Sequence, residues 1–171
     1  MASESAFSAT NSEDRETAAS KGDRLEIRMW LRLLTCTTLI ERELRSRLNS
    51  EFSTTLPRFD ALAQLERAPE GLTMGQLSAR MMVSGGNVTG VVDRLVKDGQ
   101  VERVVVPGDR RSNVVRLTAD GKALFDQMAA EHHRCLHRLL GDLDYPVVDS
   151  LFESLGRLKA SIQTNTPSNP N

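Results

Sequence analysis

Apolar residues recur every three or four positions along most of the chain, and this spacing predicts a mainly helical protein. The pattern runs through residues 24–48 and again from Pro57 to Leu65. Pro69–Gly71 then ends this second helix. It returns after Thr118, and in the last segment it places these residues on one face: Val148, Leu151, Leu155, Leu158 and Ile162. We therefore expect two long helices at the carboxyl-terminal end as well as the two at the start.

The middle of the chain predicts two short helices followed by a hairpin. Thr73 and Gln76 have the spacing of a capping box, which opens a helix reaching about Met81. Ser84 is placed to cap the next helix, which ends at Asp98-Gly99. The period then changes to that of strands over 101–106 and 113–117, with a polar turn at 107–112. Two short helices followed by a two-stranded hairpin predict a winged helix-turn-helix.

The expected organisation is one domain between two tails. Residues 1–22 and 163–171 contain few apolar side chains and are expected to be disordered. The domain covers residues 23–162, with the winged helix at 54–118, and a length of 171 residues agrees with a single domain.

Composition excludes several classes of protein. The 22 Lys and Arg balance 23 Asp and Glu, so the chain is not uniformly basic. No apolar run approaches the ~18 residues of a membrane span, and the Ser- and Glu-rich start lacks the apolar centre of a secretory signal. Two cysteines are too few for a disulfide scaffold. We therefore expect a cytoplasmic protein that does not enter a membrane.

The segment from Ser84 to Asp98 is the first candidate for DNA contact, because residues 73–118 hold seven bases against four acids. Gly90 inside a helix costs ~1 kcal/mol relative to Ala, and close approach to DNA would explain it. Asparagine can pair with adenine, and a threonine methyl can touch that of thymine. The alternative is an ordinary glycine-rich helix start. The candidate DNA-binding residues here are Ser84, Gly85, Gly86, Asn87, Thr89 and Arg94.

The polar turn of the hairpin is the second candidate. It carries Asp109, Arg110 and Arg111, and an arginine at a hairpin tip can enter a narrow minor groove. Asp109 is able to hold a neighbouring guanidinium in position. A polar turn with an incidental ion pair is the alternative.

These residues resemble the MarR family of bacterial transcriptional regulators over about residues 24–162. The resemblance rests on four motifs: Gly86-Asn87-Val88-Thr89 with Val92-Asp93-Arg94-Leu95, Gly99-x-Val101-x-Arg103, Asp109-Arg110-Arg111, and Leu117-Thr118-x-x-Gly121. It implies base contacts from Ser84 to Thr89, a phosphate contact at Arg94, and a wing pair of Asp109 with Arg111. Gln100 departs from the family, which usually has an apolar residue there.

The resemblance also implies a homodimer built by dimerisation helices at 23–50 and 119–162. Such a dimer binds a palindromic operator and represses until a small ligand, often an aromatic acid or its derivative, releases it. Within the family, the chain looks most like repressors of hydroxycinnamate breakdown that respond to coumaroyl- or feruloyl-coenzyme A.

An arginine cluster is the candidate effector site. Arg28, Arg32 and Arg42 fall within roughly 80° of arc on the first helix, and Arg58 opens the next. Their guanidinium groups suit a carboxylate or the phosphates of a coenzyme A thioester, with Trp30 or Phe59 beside an aromatic ring. The alternative is a solvated or dimer-bridging polar face.

Two further hypotheses remain open at this point. A redox or metal sensor would use Cys36 or the histidines at His132, His133 and His137, although we expect a buried, inert thiol at Cys36. A winged-helix adaptor would bind protein instead of DNA. No paired carboxylates or nucleophile–base set appears in the sequence, so we expect neither an enzyme nor a bound cofactor.

Overall fold

The computed structural model describes residues 24–106 and 109–166, without the side chains of 106–112. Its helices are α1 (Leu25–Phe52), α2 (Leu56–Glu66), α3 (Met74–Met81), α4 (Gly85–Lys97), α5 (Ala119–Leu139) and α6 (Tyr145–Asn165). Its strands are β1 (Leu72–Thr73), β2 (Val101–Val106) and β3 (Asp109–Leu117). This order confirms the mainly helical, winged helix-turn-helix prediction. The helix α6 extends three residues beyond the predicted boundary at 162, so the first residues of the predicted tail 163–171 are helical. The predicted tail 1–22 and residues 167–171 lie outside the described residues.

The sheet is larger than the predicted hairpin. It is antiparallel with the order β1-β3-β2, and β1 pairs Leu72 with Val115. Gly71, which precedes β1, has a φ of +90°, and a Cβ there would stand 2.8 Å from the carbonyl oxygen of Val115. Only glycine satisfies both conditions. The strand β3 also begins at Asp109, inside the segment predicted as a turn, and the register with β2 shifts between Val105 and Val106.

Three of the predicted helix starts differ in how they are capped. The capping box is present: the Gln76 N–H donates to the Thr73 hydroxyl over 3.2 Å, and the Thr73 N–H donates to the Gln76 amide oxygen over 2.9 Å. The Thr118 hydroxyl likewise accepts from the Gly121 N–H at 3.0 Å. Ser84 occupies the N-cap position of α4, but its side chain makes no capping hydrogen bond, which corrects the prediction for that residue.

The described residues form two compact units, one up to Glu131 and one from His132. In the first unit, α2, α3 and α4 bury one face each around a shared core, and α4 contributes Val88, Val92 and Leu95, all fully buried. This core covers one side of α4 and leaves the opposite side of the helix exposed to solvent.

In the second unit, α6 has no buried residue within the chain. Its exposed apolar side chains are Tyr145, Val147, Leu151, Phe152, Leu155 and Ile162. In the first unit, the first turns of α1 expose Leu25, Ile27, Met29 and Trp30 in the same way. Within the described ranges, no helix combines the length and the apolar character that a membrane crossing needs.

Candidate nucleic-acid interface

The amino-terminal half of α4 presents a polar face to solvent. Gly86, Asn87 and Thr89 are exposed on it and Arg94 is exposed in the last turn of the helix, while Val88 on the opposite face is buried in the core. Because the buried face fixes the rotation of α4 about its own axis, these side chains stay on the outer side of the helix. An exposed helix held rigidly beside a hairpin is the arrangement that a helix-turn-helix inserts into a major groove.

The glycines of this face are not required by packing inside the chain. A Cβ placed on Gly85, Gly86 or Gly90 would meet nothing within 4 Å. Gly90 nevertheless lies in the interior of α4, where glycine is unfavourable relative to alanine by about 1 kcal/mol. Packing within the described residues therefore does not account for these glycines, whereas close approach to a ligand surface would account for them.

The polar side chains of α4 differ in their contacts. The Thr89 hydroxyl donates to the Gly85 carbonyl at 3.1 Å. In the part of the chain that the structure describes, neither Asn87 nor Arg94 makes a side-chain hydrogen bond or an ion pair. An amide and a guanidinium at the surface are thus available to bases and phosphates.

Ion pairs tie α4 and the wing strands together, and sequence reasoning missed them. The Asp93 carboxylate accepts from the Arg103 guanidinium of β2 at 2.6 Å, and Glu102 pairs with Arg116 across the strands at 2.7 Å. Asp93 and Arg103 stand ten positions apart on different elements, so no local period reveals the pair. The predicted wing residues Asp109, Arg110 and Arg111 begin β3, and their side chains lie outside the described residues.

Two of the predicted effector residues, Phe59 and Arg58, pack against other parts of the fold instead of facing an open site on α1. Phe59 is buried, and its ring stacks on Phe125 with centroids 5.7 Å apart, so it belongs to the core. Arg58 is only 15% exposed, and its guanidinium donates to the carboxylate of Asp98 and to the amide oxygen of Gln100. Neither residue is available to hold a ligand beside α1, which corrects the predicted set.

The other four effector candidates remain on the surface of α1. Arg28, Trp30, Arg32 and Arg42 are all exposed, and Trp30 is 58% exposed. With a rise of about 1.5 Å per residue, Arg28 and Arg32 lie within about 6 Å along the axis, and Arg42 lies about 15 Å beyond Arg32. Arg28 and Arg32 therefore share one face of α1, Trp30 lies about half a turn around the helix from both, and Arg42 lies apart along the axis.

The residues of the sensor hypotheses are also distributed differently from the prediction. Cys36 is exposed and Cys135 is buried, so the expectation of a buried thiol at Cys36 is wrong. His133 and His137 line an open groove of about 410 Å³ with Tyr145. Burial lowers the pKa of His132, and the charge of His133 lowers it further. Among the described residues, no three His, Cys, Asp or Glu side chains gather in a way that would hold a metal.

The comparisons with known proteins agree with this geometry. The MarR family model matches residues 52–112, which include α2, α3, α4 and the start of β3. The chain is 30% identical over 129 residues to the HTH-type transcriptional regulator PecS of Dickeya dadantii (strain 3937), covering 74% of this chain and 77% of PecS.

Two solved structures share the fold. A cysteine-to-serine mutant of MarR from Escherichia coli, complexed with operator DNA, is 28% identical with a TM-score of 0.69, covering 80% of this chain and 99% of that one. CouR from Rhodococcus jostii RHA1, bound to p-coumaroyl-CoA, is 19% identical with a TM-score of 0.69, covering 87% and 99%, and shows the fold alone. An exposed glycine-rich helix beside a wing, together with these similarities, places the chain in the MarR family of DNA-binding transcriptional regulators, which is not a family of enzymes.

Proposed function

We propose that this regulator is a repressor that binds a palindromic operator as a homodimer and is released by a ligand derived from an aromatic acid. The observation that carries the proposal is the exposed half of α4, where three glycines have no packing reason within the chain. Asn87 supplies an amide able to pair with adenine, and Arg94 supplies a phosphate contact. Arg110 and Arg111, with Asp109 as an orienting partner, are the proposed minor-groove contacts of the wing.

The homodimer is supported by the apolar surfaces that the single chain leaves uncovered. The exposed side chains of α6 and of the first turns of α1 would be costly in water, and a second copy would cover both. A two-fold dimer presents two copies of α4 to successive major grooves about 34 Å apart, and the operator is palindromic for that reason.

A binding experiment tests the DNA-reading role. We expect wild-type protein to select a palindromic duplex from a random library, with an affinity that falls steeply as salt rises. Combining Asn87→Ala with Arg111→Ala removes two contacts worth about 1–3 kcal/mol each, so binding to that duplex should weaken at least about 30-fold. The matched control, Gln64→Ala with Arg67→Ala at the end of α2, removes an amide and a guanidinium outside α4, the wing and the proposed dimer surface, and should bind as wild type does. Unchanged occupancy by the α4–wing variant would exclude this interface.

The proposed ligand class is a hydroxycinnamoyl-coenzyme A thioester, of which p-coumaroyl-CoA is the representative. Arg28 and Arg32 suit phosphates, and Trp30, about half a turn around α1 from them, offers a face for the aromatic end of an extended ligand. Arg42, some 15 Å away, is out of reach of a small acid that contacts Arg32, but a thioester with separated phosphate and acyl ends spans that distance. A polyanion bound near these arginines also disfavours DNA phosphates electrostatically.

Two measurements test the ligand. In a thermal-shift titration, p-coumaroyl-CoA should raise the melting temperature more than free p-coumaric acid does. Arg32→Ala should weaken release of the duplex by p-coumaroyl-CoA while leaving duplex affinity unchanged, and Arg45→Ala on the same helix serves as the control. An equal loss of both properties in Arg32→Ala would assign that arginine to DNA binding.

A redox-responsive regulator is the second candidate function, because Cys36 is exposed. Thiolates react according to their exposure, and an oxidised Cys36 on α1 would alter a surface assigned here to dimerisation. Release of the duplex by peroxide in wild type but not in Cys36→Ser would favour this function over the thioester response.

A further inference from the structure

The carboxyl-terminal end of α4 is held by a side chain from α2. Arg58 donates to the carboxylate of Asp98, the residue that caps α4, and a second bond of 3.2 Å reaches the amide oxygen of Gln100 at the start of the wing. The Arg58 side chain is 15% exposed and the Asp98 side chain is 42% exposed, so the contact is shielded from water on the arginine side and open to it on the carboxylate side. The two residues are forty positions apart in the chain and join α2, α4 and the wing.

Two features of this contact lower the stability of the folded chain instead of raising it. A carboxylate at the carboxyl-terminal end of a helix is repelled by the helix dipole, so Asp98 is unfavourable there unless a cation compensates. The Nε–H of Arg58 is also buried without a hydrogen-bond partner among the described residues, and such a group destabilises the fold. An ion pair with one solvent-exposed partner contributes little to stability, and the best-attested role of ion pairs that are not needed for stability is to fix one arrangement over others.

Gln100 extends the contact to the start of α5. Its backbone carbonyl accepts from the Thr118 N–H at 3.2 Å, and the Thr118 hydroxyl donates to the Gly99 carbonyl at 2.7 Å. A Cβ on Gly121 would lie 1.8 Å from the Gln100 carbonyl oxygen, so α5 approaches this corner as closely as glycine permits. The corner at 98–100 is therefore in contact with α2 on one side and with the first turn of α5 on the other.

The position of this corner matters because a small tilt of α4 at Asp98 displaces the opposite, base-contacting end of the helix by a larger distance. Asn87 and Asp98 are separated by about 16 Å along the helix axis, so a tilt of about 5° at the corner moves the base-contacting end by about 1.4 Å. Base contacts require their donors to be held within about 0.5 Å of the productive position. A small change at Asp98 is thus enough to spoil hydrogen bonds to bases, whereas flexible contacts to phosphates tolerate it.

We propose that Arg58 is a positioning residue for operator specificity, which sets the direction of α4 through Asp98 and Gln100. This inference rests on the proposed DNA-reading function of α4. Arg58 itself touches neither bases nor phosphates in this scheme. Its loss should therefore lower affinity for the selected operator while leaving affinity for unrelated DNA unchanged.

The test compares two duplexes of equal length by fluorescence anisotropy: the operator selected by wild-type protein and a scrambled sequence. Arg58→Met keeps the apolar stem and removes the charge, and it should weaken operator binding about tenfold while changing scrambled-duplex binding less than twofold. The dependence of operator affinity on salt should keep its slope, because no phosphate contact is lost. Asp98→Asn should give the same change in the ratio, and the double variant should lose no more than either single variant.

Two controls separate positioning from folding. Arg58→Lys keeps one charge able to reach Asp98 and should restore most of the operator preference. Phe59→Leu, next to it on α2, disturbs the stacking on Phe125 and should lower the melting temperature without changing the ratio of the two affinities.

An unchanged ratio in Arg58→Met, or a parallel loss on both duplexes with a shallower salt slope, would overturn the positioning role. The wild-type measurement distinguishes this failure from failure of the proposed function. If wild-type protein prefers no duplex, the DNA-reading function itself is wrong.

Discussion

The helices α4 and α6 carry similar apolar stripes, but only one of them is buried by its own chain. In α4, Val88, Val92 and Leu95 are fully buried against neighbouring helices. In α6, Leu151 and Leu155 remain 49% and 46% exposed, and no residue of the helix is buried. The same pattern thus builds an internal core in one region and an external surface in the other. The apolar face of α4 is therefore covered within one chain, whereas the apolar face of α6 is left for the second copy of the proposed homodimer.

The largest expected effect tests the α4 side of this comparison. Leu95→Ala removes a fully buried side chain and should lower the free energy of unfolding by about 2–5 kcal/mol. The loss should be the same at all protein concentrations, because the contacts lie within one chain. Chemical denaturation at two concentrations a hundredfold apart measures it, and a concentration-dependent loss would place Leu95 in an interface.

The next effect tests the α6 side. Leu151→Asp combined with Leu155→Asp places two charges on the exposed stripe, and we expect the dimer dissociation constant to rise at least a hundredfold. Helical content should be retained, since neither side chain is buried in the chain. Sedimentation velocity with circular dichroism checks both points. A dimer that survives this change would require another surface for association.

A pair of glycine substitutions compares α4 with α6 through changes of about 1 kcal/mol in the free energy of unfolding. Gly90 in α4 and Gly156 in α6 both have open space where a Cβ would lie. Alanine at either position should stabilise its helix by about 0.5–1 kcal/mol. Only Gly90→Ala should also weaken operator binding, because its added methyl faces DNA. Melting curves and anisotropy titrations measure the two effects, and equal operator binding by both variants would remove the close-approach argument.

The smallest expected effect is a pH dependence at the start of the second unit. Burial lowers the pKa of His132 below its ordinary value near 6.5, so the unfolded chain takes up a proton at higher pH than the folded chain does. Stability contributed by the neutral imidazole is present above pH 6.5 and is lost as the pH falls through the folded pKa.

Urea denaturation between pH 7.5 and pH 5 should therefore show a decline that is smaller in His132→Gln than in wild type. His137→Gln, on the next turn of α5, is the matched control and should decline as wild type does. Identical declines in all three proteins would show that other groups carry the acid sensitivity.

Local features of the chain were predictable because their causes are local. The Thr73–Gln76 capping box, the proline in the first turn of α2 and the glycine after α4 each act within a few residues. The strand β1 escaped prediction because two residues carry no period, and it exists only by pairing with β3 more than forty positions away. The tertiary contacts of α4 show the same limit, since Arg58 meets Asp98 from a distant helix.

The sequence by itself determined the order of the six helices and the two wing strands, the glycine-rich polar face of α4 and the family to which the chain belongs. These properties follow from periodicity, capping and residue type, which are read along the chain. Only the tertiary structure decided that Phe59 belongs to the core, that Cys36 is exposed and that Arg58 contacts Asp98 at the end of α4. Burial and ion pairing depend on contacts between residues that are distant in the sequence. No local pattern within a single segment specifies those contacts.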